Sequence, residues 1–238
     1  MDPTALASFY AFPPNNLGYC GHPKFYESLS AYLVSPSNIN IQALQSELKK
    51  FPTHYAYLNF IARENGLSPF DLKVVRAFWT GNSLLSNISY DSLKEFIKDD
   101  LFAGKFSSRV ELLISNLPFG LVPHHSFNSL YIRFVSERVE RSVENFDSCC
   151  ITWGKVLKLS GNCALIDRMS VSYENGFFLK NSICQVDLQR NKIQFLRDIS
   201  VGDYLSVHWG MAIEKLSVEN RDLLEKWTLV NISAINGK

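Results

Sequence analysis

The chain is 238 residues long, carries 24 lysines and arginines against 23 aspartates and glutamates, and is 46% hydrophobic. It is too apolar for extended disorder and too close to neutral to indicate nucleic acid or an anionic membrane as a partner. No run reaches the roughly 18–20 uncharged apolar residues of a membrane span. The opening MDPTALASFYAFPPNN lacks the basic and apolar regions of a secretory signal, and five scattered cysteines do not make a disulfide scaffold. The expectation is a cytoplasmic protein with neither nucleic acid nor membrane as partner.

The first part reads as helical. Phe25, Leu29, Tyr32 and Leu33 recur at helix spacing after Pro23, and Ile41, Leu44 and Leu48 form a second stripe. Thr53 is placed to cap a third helix running to Ala62, with Gly66 just beyond its end. Ser68-Pro69-Phe70-Asp71 reads as N-cap, N1 and N3 of a fourth helix lined by Leu72, Val75, Phe78 and Trp79 and ended by Gly81. Leu93, Phe96, Ile97 and Leu101 predict a fifth helix, and Val110, Leu113 and Ile114 a sixth. Between Ser129 and Glu144 two periods compete. Leu130, Ile132 and Phe134 alternate like a strand, whereas Val135, Val139 and Val143 are spaced like a helix. A strand followed by an irregular or helical continuation is the expectation.

The texture changes near Asn145. Short β-rich runs follow at Ile151–Leu157, Cys163–Ile166, Ser170–Tyr173, Ile183–Leu188, Ile193–Leu196 and Tyr204–His208, separated by turn signals such as Glu174-Asn175-Gly176 and Val201-Gly202-Asp203. Asp167-Arg168 reads as a turn or a surface pair. Ser217 then caps a final helix, with Asn220 at N3 and Leu223, Leu224 and Trp227 on its apolar side. The predicted class is α+β. A helical domain of open role spans 1–144, and a small β-barrel with a C-terminal helix spans 145–238.

Two motifs in the second part are specific. Cys149-Cys150-Ile151-Thr152-Trp153-Gly154-Lys155-Val156 is followed by Val201-Gly202-Asp203-Tyr204-Leu205-Ser206-Val207-His208-Trp209-Gly210-Met211-Ala212-Ile213. Together they resemble the HypC/HupF family of hydrogenase-maturation chaperones across residues 148–229. The resemblance implies an OB-like barrel and a non-catalytic role in carrying an iron centre between a scaffold and a client enzyme. It assigns the family's motif cysteine and histidine to Cys149 and His208. The chain departs from that pattern in three places: Cys149 lies mid-chain, Trp153 stands where the family has proline, and Cys150 adds an adjacent thiol. Independently of the family, a thiolate and an imidazole suit iron or another transition metal.

Weaker candidates surround this pair. Cys20-Gly21-His22 lies in a glycine-rich loop, and His124-His125 follows a proline-bounded loop. With Cys149 and His208 they predict a shared metal site between the two parts. Otherwise His22 and His125 bond or cap their own loops. Trp153 and Trp209 read as an aromatic wall or as core packing. Two alternatives stand beside the chaperone reading: an enzyme using Cys149 as nucleophile with a nearby histidine, and a structural interaction protein without metal. In the leading reading a protein partner, scaffold or client, is expected.

Overall fold

Asp2 and Pro3 start the first helix. The Asp2 carboxylate accepts from the amides of Thr4 (2.8 Å) and Ala5 (3.1 Å), and proline at the first helical position wastes no donor. Helix α1 (Pro3–Asn16) is apolar around its circumference, and Leu6, Ala7, Tyr10, Ala11 and Phe12 are all buried. Such a helix belongs inside a protein, and this one runs through the middle, touching helices on one side and barrel strands on the other. The computed structural model describes residues 1–102, 108–134 and 142–237.

Against α1 pack α2 (Phe25–Val34), α3 (Asn38–Leu48) and α5 (Leu72–Trp79); α4 (Pro52–Glu64) packs on α5 and on the π turn over Phe96–Leu101 that continues α6 (Tyr90–Glu95), and α7 (Ser108–Ser115) packs on the same turn. Two caps differ from the sequence reading. Helix α4 begins at Pro52, so Thr53 lies inside its first turn rather than at the cap. Asp71, not Ser68, caps α5, its carboxylate accepting from the Lys73 amide at 2.8 Å. Ser68-Pro69-Phe70-Asp71 is instead a turn closed by the Asp71 amide on the Ser68 carbonyl.

The strand expected over Leu130–Phe134 is also corrected. Residues His125–Leu130 form α8, and Ile132–Phe134 a single 3-10 turn. His124 caps α8, and Phe127 and Leu130 are buried beneath it; three alternating residues do not outweigh a capped, packed turn. Val135 and Val139 lie outside the described residues. Val143 opens α9 (Val143–Cys149), capped by Ser142.

The second part is a sheet of β1 (Thr152–Ser160), β2 (Cys163–Tyr173), β3 (Phe177–Asp187), β6 (Tyr204–His208) and β7 (Met211–Leu216), in the closed order β1-β2-β3-β7-β6. A small hairpin, β4 (Gln189–Arg190) and β5 (Ile193–Gln194), interrupts it. Helix α10 (Val218–Ile235) follows, capped by Ser217 on the Asn220 amide as the sequence predicts. The coarse expectation, helices first and then a β-rich part closed by a helix, is what the structure shows. Asp167-Arg168 is not a turn: β2 runs through it unbroken, paired with β1 on one side and β3 on the other. The close approach of β2 uses Gly154, where a Cβ would meet the Asp167 carbonyl oxygen at 2.9 Å and the Arg168 Cα at 3.0 Å.

Strand β6 is buried on both faces. Leu205 and Val207 join Val156, Ala164, Ile166, Val186 and Ala212 in the barrel core. The alternate residues Ser206 and His208 face α1. One hydrophobic cluster includes residues of α1, α4, α5, β1, β7 and α10, so the helical and β parts share a core. Gly81 fastens one corner of it. Its φ is +81°, and an added Cβ would meet the Trp227 ring at 2.2 Å. Gly81→Ala is therefore expected to cost about 2–3 kcal/mol, through backbone strain and overpacking, measured as a lowered denaturant midpoint. An unchanged midpoint would mean that α10 moves aside freely.

Candidate metal centre between the helices and the barrel

Three buried side chains converge where α8, α9 and β6 meet. The ligand atoms of His125, Cys149 and His208 lie within 4.8 Å of one another. Tetrahedral ions hold nitrogen and sulfur ligands at about 2.0–2.3 Å, hence roughly 3.5 Å apart.

Each residue is placed by identifiable bonds. Cys149 ends α9, and Asp147 ties that helix to β2 through its ion pair with Arg168 and by accepting the Val171 amide at 2.7 Å. The Trp209 amide donates to the Ser148 carbonyl at 2.8 Å, drawing the β6–β7 turn onto the end of α9. That turn has only Trp209 and Gly210 between the paired His208 and Met211. Both have positive φ, +49° and +73°, as a type I′ hairpin requires, and for a tryptophan this is a strained backbone. His125 sits in the first turn of α8, where Asn231 of α10 accepts the Val122 amide at 2.9 Å and donates to the Ser126 hydroxyl at 2.9 Å.

The second layer sets the chemistry. The Nδ1 of His208 lies 2.7 Å from the Tyr10 carbonyl. A carbonyl only accepts, so Nδ1 carries the proton and Nε2 keeps its lone pair. That Nε2 is buried and has no hydrogen-bond partner among the described residues. The Nδ1 of His125 is 3.2 Å from the Ser129 hydroxyl, which is also 3.4 Å from the Cys149 sulfur. Arg133 donates to that sulfur at 2.7 Å. Burial holds His208 down to about 3. Burial, then the neighbouring His208, His124, Arg133 and His54, holds His125 well below the ordinary imidazole range. Both rings are therefore neutral at physiological pH, the form that binds metal.

A cavity of about 340 Å³ opens beside the cluster, lined in part by Cys20, His54, Trp79, Arg133 and Trp209. Of the residues singled out by sequence, the structure brings Cys149, His208 and His125 together and sets Cys20 and Trp209 around the same cavity. Trp209 stacks on Tyr19 with ring centroids 4.3 Å apart. The others lie elsewhere. His22 accepts from the Lys24 amide at its Nδ1, the loop-bonding role. His124 caps α8 and bonds Ser126 at 2.8 Å. Trp153 is buried in the shared core. Cys150 turns into a separate apolar cluster with Leu130, Val171 and Phe177, where burial pushes its thiol well up. The sequence reading passed over His54 and Arg133. His54 lies one turn into a helix whose start was misplaced, and Arg133 lies in the segment misread as a strand.

One family model matches residues 3–238, across both the helical part and the barrel. The chain belongs to that family, described as a family of unknown function (DUF6390). In this DUF6390 member all three cluster residues fall inside the matched span. No curated protein and no solved structure matches the chain.

Proposed function

We propose that the chain is a cytoplasmic, non-catalytic metallocentre-assembly protein that holds iron or another transition metal on His125, Cys149 and His208. The observation that carries this reading is the cluster itself: one sulfur and two neutral imidazoles converge, and one imidazole nitrogen is buried without a partner among the described residues. Leaving such a group bare costs about 1–3 kcal/mol, and a metal ion would use it. Two imidazoles and a thiolate suit a transition metal better than calcium or magnesium. The strand order β1-β2-β3-β7-β6, with β3 and β7 parallel, supports an OB-like barrel interrupted by one hairpin. The resemblance to HypC/HupF chaperones, which singles out Cys149 and His208, supports a role in passing a centre between a scaffold and a client protein.

The test is anaerobic affinity purification of the full chain, with metal analysis and identification of co-purifying proteins. The expected result is a near-stoichiometric transition metal and an iron-bearing scaffold or hydrogenase precursor. A chain that takes up no Fe(II), Co(II) or Zn(II) would overturn the metal reading and leave a structural interaction protein. A second reading draws on Arg133 and the two histidines around Cys149: a thiol nucleophile. It requires metal-free protein whose Cys149 is alkylated much faster than a free thiol at neutral pH.

A further inference from the structure

Beside Thr53, Asn128 and Asp100, which carry acceptor oxygens, the cavity is lined by several buried donors without a hydrogen-bond partner among the described residues. His54 lines it, is 7% exposed, and has no partner for either ring nitrogen among the described residues. A neutral imidazole must carry one N–H, so His54 has a buried donor with nothing to donate to. Trp79 and Trp209 also line the cavity and are buried, and each indole N–H lacks an acceptor among the described residues. An indole nitrogen only donates. Arg133 adds a guanidinium, whose one hydrogen bond among the described residues goes to the Cys149 sulfur. The carboxylate lining the cavity, Asp100, is taken up by Arg63 at 3.0 Å.

Charge points the same way. A divalent ion on one thiolate and two neutral imidazoles keeps a net positive charge, and Arg133 adds another. Net charge in a desolvated site is costly. Three protein ligands also leave a tetrahedral ion one open position.

We infer that the cavity binds a small, acceptor-rich anion at the open position of the metal, held by Arg133 and the His54 N–H. This rests on the metal reading above and adds the class of its exchangeable ligand. His54 and Arg133 come from the helical part, so the anion seat, like His125, belongs to the side facing the barrel.

The test uses the full chain loaded with Co(II), titrated with sodium azide and, separately, sodium formate, and read by visible absorption. Saturable band shifts are expected, with dissociation constants in roughly the millimolar range or tighter. His54→Phe keeps the ring shape and removes the donor, and should weaken azide about tenfold while cobalt stoichiometry holds. His54→Gln, which restores an N–H, should recover part of the loss. Arg133→Gln should weaken azide by a similar factor. Cobalt bound at full stoichiometry with a spectrum indifferent to both anions would overturn the inference and leave the metal reading standing. So would azide affinity unchanged in both His54→Phe and Arg133→Gln. Failure to bind cobalt would overturn the metal reading and this inference with it.

Discussion

Cys149→Ser should weaken metal binding by more than about a hundredfold, because even outer-layer changes at such sites cost 10–100-fold. The cobalt-loaded variant should also lose the near-ultraviolet sulfur-to-cobalt band. Cys150→Ser is the matched control. Its sulfur packs against Leu130, Val171 and Phe177, away from the cavity, so metal affinity should stay within about twofold of the unaltered chain. Competition against a chromophoric chelator measures both. If the Cys149→Ser chain binds cobalt as tightly as the parent and keeps the band, the sulfur is not a ligand and the assignment fails. His208→Asn is expected to act like Cys149→Ser, with one difference. The asparagine amide nitrogen stands where Nδ1 stood and keeps a donor for the Tyr10 carbonyl, so stability should suffer less than metal affinity.

Acid should unfold this protein abruptly. Burial holds His54, His124 and His208 at about 3, and His125 is held well below the ordinary range. In the unfolded chain each titrates near about 6.5. Above that value both states are neutral and nothing is lost. As pH falls below it, the unfolded state takes up protons that the folded state refuses, and stability drops until the folded values near 3 are reached. Each proton contributes about 1.4 kcal/mol per pH unit, so four give roughly 5 kcal/mol per pH unit at the steepest. Total stabilities are about 5–15 kcal/mol, which places the unfolding midpoint between about pH 5.5 and 3.5. Tryptophan fluorescence of the metal-free chain across pH 7.5 to 3 reads it directly. A denaturant midpoint that stays flat from pH 7 to 5 would show that the four rings accept protons in the folded protein. His54→Phe should blunt the slope by about one proton.

Much of the architecture was legible because local rules agreed with tertiary packing. The stripes at Phe25–Leu33 and Ile41–Leu48 are helices, and Ser217 caps α10 on Asn220. Elsewhere tertiary context prevailed. Helix α1 was not foreseen, because its buried, uniformly apolar surface carries no amphipathic signal; Pro13 and Pro14 lie near its end. Asp167-Arg168 reads as a turn or a surface pair, but the Arg168 guanidinium donates to Asp147, Thr152 and Ser170 inside the packed sheet. Strand β7 was hidden inside a motif read for its residues rather than its period, and only a two-residue turn separates it from β6. In the site, Cys149 and His208 were found because they stand in recognisable runs, and His125 because it stands in a histidine pair. His54 and Arg133 lie alone among helical residues, and nothing in their local spacing shows that α4 and the 3-10 turn after α8 bring them to one cavity.

The origin of the three cluster residues has a consequence for synthesis. His125 is made first, Cys149 later, and His208 only after most of the barrel. The contact that secures the start of α8, and so places His125, is later still, since it comes from Asn231 of α10. Domains made on the ribosome fold from the N-terminus as they emerge, so a nascent chain holding the helical part alone has one ligand and no site. An ion held on all three residues would therefore be acquired only after the strand that bears His208 has been made and folded.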